Sequence, residues 1–74
     1  VLLVLGLGVL DLRKNEAEHL LEHWIEHNEA HSRSFRERAL QVKELSAQAA
    51  LDIEMAADLM DKCTQMLKKA KEDL

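Results

Sequence analysis

Val42-Lys43-Glu44-Leu45-Ser46-Ala47-Gln48 is the stretch that decides the fold. Read as helix, it joins everything from Asp11 to Leu74 into one rod; read as a break, it turns the chain back on itself. Neither glycine nor proline marks it. Two signals favour the break. The apolar stripe leading up to Val42 loses its phase before Ile53. Ser46 can cap a new helix, with Gln48 and Asp52 near that helix's start. The expected fold is therefore all-α: a helical hairpin over 13–74, with helices at about 15–43 and 47–73 joined by a turn at about 44–46.

Upstream of the break, Leu21, Trp24, Ile25, Asn28, Phe35, Ala39 and Val42 recur at helical spacing and form one stripe. Leu21, Asn28, Phe35 and Val42 share one heptad position, which makes Asn28 a polar residue in an apolar seam. It is either a device that fixes register between helices or a tolerated edge residue. Asp11 or Asn15 is the expected cap of this helix, with Glu18 three residues beyond Asn15 as in a capping box. Downstream, Ile53, Met60, Leu67 and Leu74 share one heptad position. Ala49, Ala56, Cys63 and Ala70 share another, and Leu59 and Met66 widen the stripe. The small residues would admit a close neighbour while the large ones interdigitate. Cys63, inside that stripe, is expected to be a buried small hydrophobe. Helices of about 28 residues are about 42 Å long, and a lone pair leaves much of both stripes wet. Two hairpins stacked into a four-helix bundle would cover them, so the expected state is a homodimer or higher homo-oligomer.

Composition agrees with long helices and narrows the partners. The 74 residues contain no proline, and both glycines fall within the first eight positions. A net charge of −4 with interspersed acids and bases argues against nucleic acid. The single cysteine forbids an internal disulfide and fits a reducing, cytoplasmic setting. Residues 1–12 form an apolar N-terminal segment that opens VLLVLGLGVL. It is too short for a membrane-spanning helix, which needs about 20 residues. It has the length of a signal-peptide core but lacks the flanking residues. Burial in an oligomer or against the hairpin is the expectation, with a membrane remnant or a fragment end as the other readings.

The chemistry-bearing residues cluster in the first helix. All four histidines, His19, His23, His27 and His31, are spaced by four. Residues four apart are rotated by about 40°, so these rings form a slowly turning ladder. Imidazoles at i and i+4 can share one transition-metal ion. Glu16, one turn before His19, could add a carboxylate, and Glu22 and Glu26 could accept from ring N–H groups. The candidate metal set is therefore Glu16, His19, His23, His27 and His31, for a divalent ion such as Ni, Zn or Co. His31, nearest the seam, makes an acid-loosened interface a further expectation. His19-x-x-Glu22-His23 and His23-x-x-Glu26-His27 spell the H-x-x-E-H pattern of inverted zinc proteases. Overlapping copies arise freely in a Glu/His-rich helix, and so short a chain lacks room for a substrate cleft. Glu16-x-x-His19 matches the i, i+3 pair of di-iron four-helix proteins. Encapsulated ferritins show a similar two-helix, dimer-built plan, from which this chain departs by carrying the pair in the first helix.

The run HLLEHWIEHNEAH resembles the first helix of small His/Glu-rich two-helix proteins of anaerobic prokaryotes. The resemblance covers about residues 16–62 and implies a helical hairpin without an established activity. The apolar start is not part of it. No nucleophile–base pair or phosphate loop stands out. The expected function is a non-enzymatic, self-associating hairpin that works as an interaction module, with transition-metal binding by the ladder as the alternative and a di-iron oxidase site as a remoter one. No catalytic residue is assigned, and a protein partner is possible.

Overall fold

A computed structural model describes residues 13–74. Two helices, α1 (Lys14–Val42) and α2 (Ala47–Glu72), pack side by side and antiparallel as a hairpin. The expectations for residues 1–12, and Asp11 as a cap, lie outside the described residues.

The reversal of direction is local chemistry. Leu45 and Ser46 both donate their backbone N–H to the carbonyl of Val42, at 2.8 and 2.9 Å, which closes α1. Glu44 N–H bonds to the carbonyl of Gln41, three residues back, so the last turn tightens. Ser46 is extended (φ −159°, ψ 114°), and its Oγ accepts from the N–H of Ala49 at 3.1 Å. That bond satisfies one of the orphan donors at the start of α2. At the other end of the hairpin the cap differs from the sequence expectation. Asn15 is inside α1, Arg13 is the residue before its first turn, and Glu16 Oε1 accepts from the Arg13 N–H at 3.1 Å. Arginine has no acceptor with which to cap, so its position could not be read from capping preferences.

Apart from Ile25 toward its open end, the seam between the helices is made of small side chains. Ile25, Ser32 and Ala39 of α1, seven apart, are buried together with Ala50, Ala57 and Thr64 of α2, also seven apart. Ala39 and Ala57 have no exposed surface at all. Side chains that short let two helix backbones approach closely, and little room then remains between them for anything larger. The large residues of the expected stripes are consequently only half-buried: Leu21, Phe35 and Val42 on α1, and Ile53, Met60 and Leu67 on α2. The register of the small residues is one position away from the series expected. Ala50, Ala57 and Thr64 line the seam, while Ala56, Cys63 and Ala70 are exposed. Cys63 is thus an exposed thiol in the hairpin, and the expectation of burial is corrected.

The two buried hydroxyls are satisfied. Thr64 Oγ1 donates back to the carbonyl of Met60 at 3.0 Å, and Ser32 Oγ donates across the seam to Asp61 Oδ1 at 2.6 Å. The slab measures 51 × 24 × 14 Å, one helix layer thick, so it has no interior of its own. No large side chain among the described residues is fully buried.

This register makes opposite predictions for neighbouring alanines. Ala57→Leu should overpack the seam and cost about 1–3 kcal/mol. Ala56→Leu, one residue away, should cost less than about 0.5 kcal/mol. Chemical denaturation of both variants checks this, and a larger loss at position 56 would show that the register is wrong.

Candidate association face and histidine ladder

With a seam this narrow, the two long edges of the hairpin carry different chemistry. One edge is ionic. Lys71 Nζ donates to Glu22 Oε2 at 2.7 Å, and Lys68 Nζ lies 3.2 Å from Glu29 Oε2. Arg36 reaches across to both Asp58 and Asp61, with Nη2 2.8 Å from an oxygen of each, and also donates to Ser32 Oγ. Glu22, Glu29 and Arg36 are spaced by seven, as are Asp61 and Lys68. That spacing was the available sequence signal for this edge, and a search for apolar stripes passes over it. The shifts follow the contacts. The Lys71 hydrogen bond and charge hold the Glu22 carboxyl below its usual 4.5, and Glu22 in turn raises Lys71 above its usual 10.5. Asp61 is held below its usual 3.8, first by the Ser32 hydroxyl and then by Arg36. Bonding to Asp61 and Asp58 raises Arg36 further.

The opposite edge is apolar and open. α1 contributes Leu20 and Trp24, 39% and 44% exposed, beside the half-buried Leu21 and Phe35. α2 contributes Leu59 and Met66, 66% and 64% exposed, with Ala56 and Cys63 on adjacent turns. Contacts across the seam tie the two sets together. Asn28 Nδ2 lies 3.5 Å from Cys63 Sγ, and Phe35, Arg38, Ile53 and Ala56 line one shallow groove. Asn28 is the polar member of its heptad series, and its amide spans the two helices at mid-length.

The ladder does not act as one unit. Glu16 is engaged at the N-terminus of α1 by the Arg13 N–H. His19 projects into solvent, with Nδ1 3.8 Å from Glu22 Oε1. His23 stacks on His27 with ring centroids 6.1 Å apart. His27 and His31 converge: their rings meet edge to face at 4.4 Å, and their Nε2 atoms are 2.9 Å apart. In that contact one ring donates its Nε2–H to the lone pair of the other. His31 then reaches Phe35, with centroids 5.9 Å apart, at the margin of the apolar edge. Of the five expected ligands, the structure brings together these two. Among the described residues no three His, Cys, Asp or Glu side chains converge on one point.

A family model described as a domain of unknown function (DUF8180) matches residues 17–74. The chain belongs to this family. The DUF8180 match takes in α2 and all of α1 beyond its first three residues, and with them the ionic edge and the apolar edge. A protein of Archaeoglobus fulgidus described only as uncharacterised is 35% identical over 52 residues, which cover 70% of this chain and 84% of the relative. No solved structure matches the chain. The resemblance drawn from HLLEHWIEHNEAH thus comes to a small domain of unknown function with a distant archaeal relative. No helix among the described residues is long and apolar enough to cross a membrane.

The ionic edge sets the pH response of the DUF8180 hairpin. Glu22 and Asp61 have depressed values, so the stability they contribute is present above their usual 4.5 and 3.8 and is lost as pH falls through the depressed values. Lys71 has a raised value, so its contribution is present below its usual 10.5 and is lost as pH rises through the raised one. Thermal melts followed by circular dichroism should show a plateau between these limits. Lys71→Met should make the acid side of the plateau shallower, because Glu22 loses the group that depresses it. An unchanged acid limb in that variant would contradict the assignment.

Proposed function

We propose that the protein is a non-enzymatic interaction module, acting in the cytoplasm, that self-associates through the apolar edge into a four-helix homodimer. The observation that carries this reading is the exposure of large apolar side chains along that edge, Leu20, Trp24, Leu59 and Met66, on a slab 14 Å thick; Leu40, Leu51 and Met55 are exposed elsewhere on the hairpin. Hydrophobic burial scales with area at about 25 cal/mol per Å², and contiguous apolar surface of this kind marks an interaction site. The broad face along which this edge runs measures 51 × 24 Å, on the order of 1,200 Å², so an interface of about 800 Å² per partner would take up about two thirds of it. A second copy supplies a surface of matching length and pattern, and its apolar residues would complete the core that one hairpin lacks.

A second reading is binding of a divalent transition metal, Ni, Zn or Co, by the ladder. The convergence of His27 and His31 favours it; the other expected ligands, Glu16, His19 and His23, have no such geometry to recommend them.

Sedimentation of the wild-type chain at micromolar concentration should give a two-chain species. Leu59→Glu combined with Met66→Glu should give a single chain with reduced helix content. Leu40→Glu, at an exposed position off this edge, should leave the association unchanged. A wild-type chain that stays folded and solitary would overturn the proposal.

A further inference from the structure

His27 and His31 lie at the border of the apolar edge, where a covering partner would strip water from them. A buried imidazole nitrogen needs a partner. Here the rings already aim at each other, with Nε2 atoms 2.9 Å apart and each ring flanked by a further aromatic neighbour, His23 on one side and Phe35 on the other. Two nitrogens at that spacing either share a proton or face a common cation. With metal–nitrogen bonds of about 2.0–2.1 Å, ligands at a right angle stand about 2.9 Å apart and tetrahedral ligands about 3.3 Å apart. The observed spacing needs little adjustment for either.

We propose that His27 and His31 form a two-imidazole chelate for a divalent transition-metal ion, zinc or nickel, and that two copies of the chain share the ion. This rests on the self-association reading above. One chain supplies half a site, since among the described residues no third ligand converges with the pair. The missing ligands come from symmetry. A two-fold axis running across the apolar edge, perpendicular to the helices, lays α1 against α1 of the second copy, antiparallel. Positions 27 and 31 straddle the middle of Lys14–Val42, and at mid-length an antiparallel helix meets its own residues again. Both pairs of imidazoles then enter one layer. Imidazole ligands select zinc, nickel or copper over magnesium and calcium.

Titration of tag-free protein with zinc chloride and nickel chloride by calorimetry, paired with sedimentation with and without metal, tests the site. The expected stoichiometry is one ion per two chains, with the dimer dissociation constant lowered at least about tenfold by metal. His27→Ala and His31→Ala should each abolish both effects while keeping the helix content of the wild type. The double variant His19→Ala/His23→Ala should keep both. One ion per chain with unchanged association would mean that the pairs are not shared, as in a bundle that sets α1 against α2 of the other copy, and would overturn the proposal. So would binding no tighter than about 0.1 mM, or equal loss in the His19/His23 variant. A chain that remains single with and without metal removes the self-association reading itself, whereas a dimer indifferent to metal removes only the shared chelate.

Discussion

Close approach of two backbones over small side chains governs the rest of this molecule. Ala39 and Ala57 are fully enclosed, with Ser32, Ala50 and Thr64 continuing the seam above and below them. Where the seam is filled by groups of this size it has no room for leucine, methionine or phenylalanine, and the larger side chains at the adjoining heptad positions are pushed to its margin; only toward the open end does a large residue, Ile25, enter it. The apolar edge is therefore a geometric result of the alanine contacts. Were the seam lined by leucine, the helices would stand further apart and Leu21, Phe35, Ile53 and Met60 could fill the space between them.

The two margins differ because their residues differ in kind, and each kind does separate work. Glu22, Glu29 and Arg36 meet Lys71, Lys68 and Asp61 along one margin. These pairs are open to solvent, and such pairs contribute little stability individually. Their value lies in selection: sliding the helices by one heptad would bring Arg36 toward Lys68 and Glu29 away from it. The Ser32–Asp61–Arg36 cluster adds a constraint from inside the seam, since the buried Ser32 hydroxyl would lose its acceptor in any other register. The other margin has no comparable set of ion pairs among the described residues, and there shape and apolar area take over.

The hairpin was legible in the sequence because it rests on local signals. Ser46 announces the second helix through its own side chain, and the loss of phase after Val42 needs only counting. Register was not legible. Alanine occupies both 49 and 50, and both 56 and 57, so two series one residue apart compete. The choice falls to Thr64 over Cys63, a preference for the more polar side chain that hydrophobicity alone reverses. Ser32 was invisible for the same reason, since a buried serine makes sense only once Asp61 and Arg36 are seen across from it. The spacing of the four histidines was plain, yet which of them converge depends on side-chain rotamers, and spacing alone treats all four alike.

The placement of the cross-links also sets an order of assembly. Contacts beside the turn close short loops, while Glu22 and Lys71 are separated by 49 residues along the chain. Loop-closure entropy rises with that separation, so the helices zip from Ser46 outward and the open end joins last. The Lys71 ammonium on the Glu22 carboxylate is a clasp at the far end of the zipper, located where fraying begins. Amide hydrogens should accordingly exchange slowest near Ala39 and Ala50 and progressively faster toward the two chain ends.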